Sequence, residues 1–143
     1  MVFGGFLKRL QSRRKRRIAA VRRISDLLNG MEQDAARPLF SPDLIVVDDA
    51  GRRIEGVDDF LAADRDLRSA AGHAQIRIDD IFVRDDEVFV TGTTDSESEE
   101  MSGQTLWRLI FDGEIVSSIH ITREPELMTV TRYHAMQKGR SAR

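Results

Sequence analysis

The order of hydrophobic periodicities along this 143-residue chain predicts an α+β domain. Three- and four-residue spacing of apolar side chains runs through the first half, and a two-residue alternation takes over from Ala74. Turns at Arg84-Asp85-Asp86 and Asp112-Gly113 divide the second half into hairpins. Together these predict a curved antiparallel sheet of at least five strands with helices on one side.

Residues 1–17 read as a basic amphipathic arm. In MVFGGFLKRL, Phe3, Phe6, Leu7 and Leu10 share one helical face beside Lys8, Arg9 and Arg13, and Arg14, Lys15, Arg16 and Arg17 follow. The whole chain has a net charge of −2, but of its 22 basic groups nine fall in residues 1–23, where there is no acid. That leaves 13 basic against all 24 acidic groups in residues 24–143, a net of −11. Such a block of like charge is either a solvated extension or a contact for an anionic membrane surface, an acidic partner or the acidic body of a second copy. With no helix-turn-helix or zinc pattern, and an acidic body behind the arm, nucleic acid is disfavoured as a partner.

Ile18, Val21, Ile24, Leu27 and Leu28 form the stripe of the next helical stretch, which Asn29-Gly30 ends. A short helix is expected over Met31–Leu39, with Pro38 near its end. Leu44–Val47 is a β-branched run closed by Asp48-Asp49-Ala50-Gly51, which puts Asp48 at a strand end. Gly56 precedes a helix whose apolar face is Val57, Phe60, Leu61 and Leu67. Asp58, Asp59, Asp64, Arg65, Asp66 and Arg68 on its other faces read as solvated charge with internal pairing.

Ala74, Ile76 and Ile78 then alternate with polar residues, and Ile81–Val83 leads to Val88–Thr94. Asp95–Glu100 reads as a loop without the glycine and alternating spacing of a calcium site. Gly103–Phe111 and Ile115–Thr122 make the last hairpin, and Leu106, Ile110 and Val116 suggest that the second face of the sheet is partly apolar. In the tail, 125–143, Leu127, Val130 and Tyr133 are expected to pack while the end frays.

Several function classes drop out on composition. The absence of cysteine removes disulfides, thiolate nucleophiles and cysteine-ligated metal. There is no phosphate-cradling glycine loop, dinucleotide fingerprint or nucleophile elbow, and His73 and His134 have no second ligand at a metal-binding spacing. No cofactor or metal is therefore expected. The lack of a bilayer-length apolar run and of a secretory signal makes a cytoplasmic location the expectation.

The succession of LLNG at 27–30, PLFSPDLIVVDDAG at 38–51, RIEGVDDF at 53–60 and WRLIFDGEIVSSIHI at 107–121 resembles the SnoaL-like and ketosteroid-isomerase-like superfamily, also named after nuclear transport factor 2. The resemblance spans about residues 18–124, leaving the arm and the tail outside it. It implies a cone-shaped sheet wrapped by N-terminal helices around one cavity, and commonly a homodimer.

It also implies site residues. Asp48 falls at the position of the ketosteroid-isomerase carboxylate base, although Asp48 or Asp49 could equally open the turn that follows. The oxyanion groups of that family are absent, because Ile24 stands in place of its tyrosine and Trp107 in place of its protonated aspartate. The same alignment turns Ser118, His120 and Thr122 toward the cavity, with His120 as helper and Trp107 as a flat apolar wall. The aspartate–arginine–aspartate set of the epoxide-hydrolase relatives is not assembled from the sequence. Two functions remain: a noncatalytic small-molecule-binding or adaptor domain, or a cofactor-independent isomerase, cyclase or dehydratase using Asp48 on an apolar carbonyl or hydroxyl compound.

Overall fold

The computed structural model describes residues 2–141, with side chains for residues 4–140. The stripe at Ile18, Val21, Ile24, Leu27 and Leu28 belongs to a helix that starts well before it: α1 runs unbroken over Val2–Asn29. At 1.5 Å per residue this is a rod of about 42 Å. Its C-terminal half packs on the sheet, while the side chains of residues 4–16 are all exposed. The expected short helix at 31–39 is divided. Gly30 and Met31 form a turn in which Met31 takes a left-handed φ of 59°, α2 spans Gln33–Ala36, and a 3₁₀ turn covers Arg37–Leu39. Pro38 accounts for the change from α to 3₁₀, since proline supplies no amide donor for an α-helical bond.

The remaining elements are β1 (Phe40–Asp48), β2 (Arg53–Glu55), α3 (Val57–Ala70), β3 (Gln75–Arg84), β4 (Glu87–Asp95), β5 (Gly103–Asp112), β6 (Ile115–Thr122) and α4 (Val130–Ser141). The strands form one sheet in the order β2-β1-β6-β5-β4-β3. The sheet is mixed, which corrects the wholly antiparallel expectation: β1 lies parallel to β6, with Val46 opposite Ile119 and Val47 opposite His120. That pairing joins residues about seventy positions apart, so no local turn signal announces it. β2 and α4, both absent from the sequence reading, are a three-residue strand and a helix with little apolar periodicity. The outermost tail residues, Ala142 and Arg143, lie outside the described residues.

Two irregularities decide which residues face inward. On β3 the apolar positions switch from even (Ile76, Ile78) to odd (Ile81, Val83), because Asp79 is an extra residue between the pairs Ile78–Gly92 and Asp80–Thr91. A register shift opposite Ile110 and Phe111, with Ser117 as the extra residue, does the same on β6, where the inward positions change from Val116 to Ile119 and Ile121. Val116 is therefore fully buried in the core rather than on the second face of the sheet. That outer face holds Phe82, Phe89, Leu106 and Ile110, and Phe82 is 59% exposed, with its ring centroid 6.3 Å from that of Phe89 across the β3–β4 pair.

Candidate ligand pocket

Between the inner face of the sheet and helices α1 and α3 lies a pocket of about 140 Å³. Ile24, Leu28, Phe40, Phe60, Leu67, Val90, Trp107, Leu109, Ile119 and Ile121 supply most of its apolar wall. The wall also carries Ser25, Asp64, Arg68, Thr94, Thr105, Arg123 and Thr129. Trp107 has room because of Gly92 on the neighbouring strand: a Cβ there would stand 2.9 Å from Trp107 Cζ3 and 2.7 Å from the Arg77 carbonyl oxygen.

Of the expected pocket residues, Ile24 and Trp107 line this space, whereas Ser118, His120 and Thr122 face the other way. The register explains the correction. Trp107 pairs with Ile121 and Leu109 with Ile119, so these share the inner face, while Arg108–His120, Leu106–Thr122 and Ile110–Ser118 share the outer one. Trp107 and His120 cannot both point inward from adjacent paired strands. The alternation of Ile119 and Ile121 with Ser118, His120 and Thr122 already carried this signal. On the outer face His120 Nε2 lies 2.7 Å from Asp49 Oδ1, and the Thr122 hydroxyl donates to the same oxygen at 3.2 Å.

Asp48 ends β1 as expected but is not part of the pocket wall. Its side chain is buried and heavily engaged. Oδ1 accepts the backbone N–H groups of Ala50 (2.9 Å) and Arg52 (3.1 Å); Oδ2 accepts Arg52 Nε (2.7 Å) and the Thr131 (2.6 Å) and Thr129 (3.3 Å) hydroxyls. Burial pushes the carboxyl pKa up. The hydrogen bonds from Thr131 and Arg52, with the Arg52 charge, outweigh burial and hold it below the ordinary value. Asp48 thus closes the 49–52 turn and ties the start of α4 to the sheet.

The sequence reading missed the charged groups that do line the pocket. Asp64 and Arg68 are buried, not solvated, and Arg68 Nε donates to both Asp64 oxygens at 3.0 and 3.1 Å. Gln33 Nε2 adds a bond to Asp64 at 3.2 Å, and Arg68 Nη1 reaches Asn29 Oδ1 at 2.7 Å and the Ala74 carbonyl at 3.1 Å. Their i,i+4 spacing marked a pair but not which side of α3 the core would cover. Arg123, just past β6, sends Nη1 to the Met128 carbonyl and Nη2 to the Met101 carbonyl, each at 2.6 Å. Burial lowers its pKa. Among the described residues no group of three His, Asp or Glu side chains stands ready to hold a metal.

Arg17, expected on a binding surface, is instead 4% exposed. Its guanidinium donates to the Asp85 carbonyl, to Asp86 Oδ1 at 2.8 Å and to the Gly113 carbonyl at 3.4 Å, and stands 5.3 Å from the Phe111 ring centroid. It is an anchor for α1. Lys8, Arg9, Arg13, Arg14, Lys15 and Arg16 remain exposed, and Phe6, Leu7 and Leu10 are exposed among them; the Phe3 side chain lies outside the described residues. Among the described residues no helix is long and apolar enough to cross a membrane.

The fold is shared with many solved structures. A candidate polyketide cyclase from Sinorhizobium meliloti is 18% identical with a TM-score of 0.65, over 72% of this chain and 93% of its own. A candidate ketosteroid isomerase from Kribbella flavida is 18% identical with a TM-score of 0.66, over 78% and 82%. A de novo designed protein with a curved β-sheet is 14% identical with a TM-score of 0.71, over 87% and 98%. At these identities the likeness is one of fold alone, and the designed protein illustrates that the fold carries no activity of its own. No curated protein matches the sequence. Residues 21–118, more than half of the chain, match the SnoaL-like domain, and the chain belongs to that family.

Proposed function

We propose that this chain is a noncatalytic small-molecule-binding domain of the SnoaL-like family, working as a homodimer, with a basic arm for an anionic surface or partner. The observation that carries the binding reading is the chemistry of the pocket wall. It is mostly apolar, and its one carboxylate, Asp64, is already held by Arg68 and Gln33. Proton abstraction at carbon needs a carboxylate with raised proton affinity beside the substrate. Asp48 stands outside the wall with a lowered pKa, and His120 is on the outer face.

The pocket is close in size to an apolar cavity of about 150 Å³ that takes up benzene. Its occupant is accordingly a compact molecule of about one ring, with Trp107 as a flat wall against it. The dimer reading is supported by Phe82, Phe89, Leu106 and Ile110 on the outer face, and the arm reading by Phe6, Leu7 and Leu10 beside six exposed cations.

Thermal denaturation of the purified protein with a panel of small aromatics, monoterpenoids and steroids tests the binding reading. A one-ring compound at a hundred times its dissociation constant adds about 2.7 kcal/mol, a rise in midpoint on the order of 8 °C. Steroids should give no rise. A panel without any stabilising compound refutes the reading; turnover of a hit that is abolished by Asp64→Asn in a folded protein replaces it with the isomerase, cyclase or dehydratase alternative.

A further inference from the structure

Two residues of the pocket wall each keep a buried polar atom with no partner within the protein: Thr105 its Oγ1 and Arg123 its Nε. They belong together in the fold. β5 and β6 pair Leu106 with Thr122, so the next antiparallel step sets the backbones of Thr105 and Arg123 opposite one another. Thr105 is 5% exposed, deep enough that an unsatisfied hydroxyl carries a desolvation cost. The Arg123 guanidinium is fixed by two backbone carbonyls, which orient it without neutralising it.

Charge decides what the pair is suited to hold. The other cation of the wall, Arg68, is neutralised by Asp64. Among the described residues Arg123 has no carboxylate within ion-pair distance. Arg123 thus brings an uncompensated positive charge to the wall and Thr105 a hydroxyl without a partner, among side chains that are mostly apolar. Arg123 is half-buried, and a charge left unpaired against apolar side chains favours an incoming counter-charge. A single negative charge balances it, whereas a doubly charged phosphate would leave one charge unpaired in an apolar site.

We propose that the pocket selects a small carboxylic acid, its carboxylate accepting the Arg123 Nε–H and Thr105 Oγ–H and its one-ring apolar body lying against Trp107, Leu109, Ile119 and Ile121. This rests on the pocket being a binding site. It adds the ligand class and the residues that distinguish the acid from a neutral hydrocarbon of equal size.

Titration calorimetry of the full chain with benzoate and with toluene tests it, in wild type, Arg123→Gln and Thr105→Val. In wild type, benzoate binds at least about tenfold tighter than toluene, the scale of a hydrogen bond to a charged group. Arg123→Gln removes that preference. Because Arg123 also holds Met101 and Met128, Thr105→Val provides the second arm. It deletes only the orphan hydroxyl, so the protein melts no lower, benzoate binding weakens and toluene binding is unchanged. Toluene bound as well as benzoate in wild type, or benzoate affinity unmoved by Thr105→Val, overturns the acid-binding proposal and leaves the pocket reading intact. If neither compound binds the wild type, and no compound of the thermal panel does, both fall together.

Discussion

Asp48 shows how one residue's surroundings override its type. A strand-end carboxylate in this family reads as a base, but here five hydrogen bonds favour its charged form over the protonated one. Because its folded pKa lies below the unfolded value, the stability it contributes is complete above about pH 4 and is lost as pH falls through the folded pKa. Asp48→Asn is expected to cost about 2 kcal/mol at pH 7, within the range for hydrogen bonds to a charged group. Urea denaturation of both proteins across pH 3–7 checks this, and the gap should shrink below about pH 4. An unchanged midpoint at pH 7 would show that the carboxylate holds nothing together.

At the scale of elements, the hydrophobic pattern carried most of the fold and the pairings between distant segments carried the rest. Val21, Ile24, Leu27 and Leu28 did mark the buried stripe of α1, and the β3–β4 and β5–β6 hairpins reverse at the predicted turns. The parallel β1–β6 contact was not legible, because it depends on long-range docking that leaves no local spacing. Side-chain facing was legible on β6 from Ile119 and Ile121, and the family alignment displaced it by one residue, enough to turn the whole strand over. Asp64 and Arg68 looked solvated because a charged i,i+4 pair is the same in sequence whether the helix buries it or not. Arg17 was hidden in the same way within a run of five basic residues. It pins α1 to the β3–β4 turn at Asp85 and Asp86 and to the β5–β6 turn at Gly113. Arg17→Ala should therefore cost about 2 kcal/mol in chemical denaturation, while Arg14→Ala, a few residues away and exposed, stays within about 0.5 kcal/mol of wild type. Equal costs would mean that the anchor contributes nothing to the native state.

For the whole molecule, the separation of charge suggests a division of labour. The acidic body contains the pocket, and the exposed part of α1 extends from it as a basic helix with Phe6, Leu7 and Leu10 unpacked. Near an anionic surface each cation contributes about 1 kcal/mol, so six give reversible attachment that weakens with salt. Cosedimentation with phosphatidylserine vesicles should fall sharply when residues 1–16 are removed, a cut that spares the Arg17 anchor. Equal sedimentation with and without them would leave an acidic protein partner as the arm's target.

The central claim is that the inner pocket, rather than the outer face with His120 and Asp49, receives the ligand. The chain has one tryptophan, Trp107 in the pocket wall, so its indole N–H gives a single resolved reporter. Titration of isotopically labelled protein with benzoate, followed by proton–nitrogen correlation spectra, should move the Trp107 indole signal saturably, together with the Ile119 and Ile121 amides. An unmoved indole with shifts confined to His120, Thr122 and Asp49 would contradict the account.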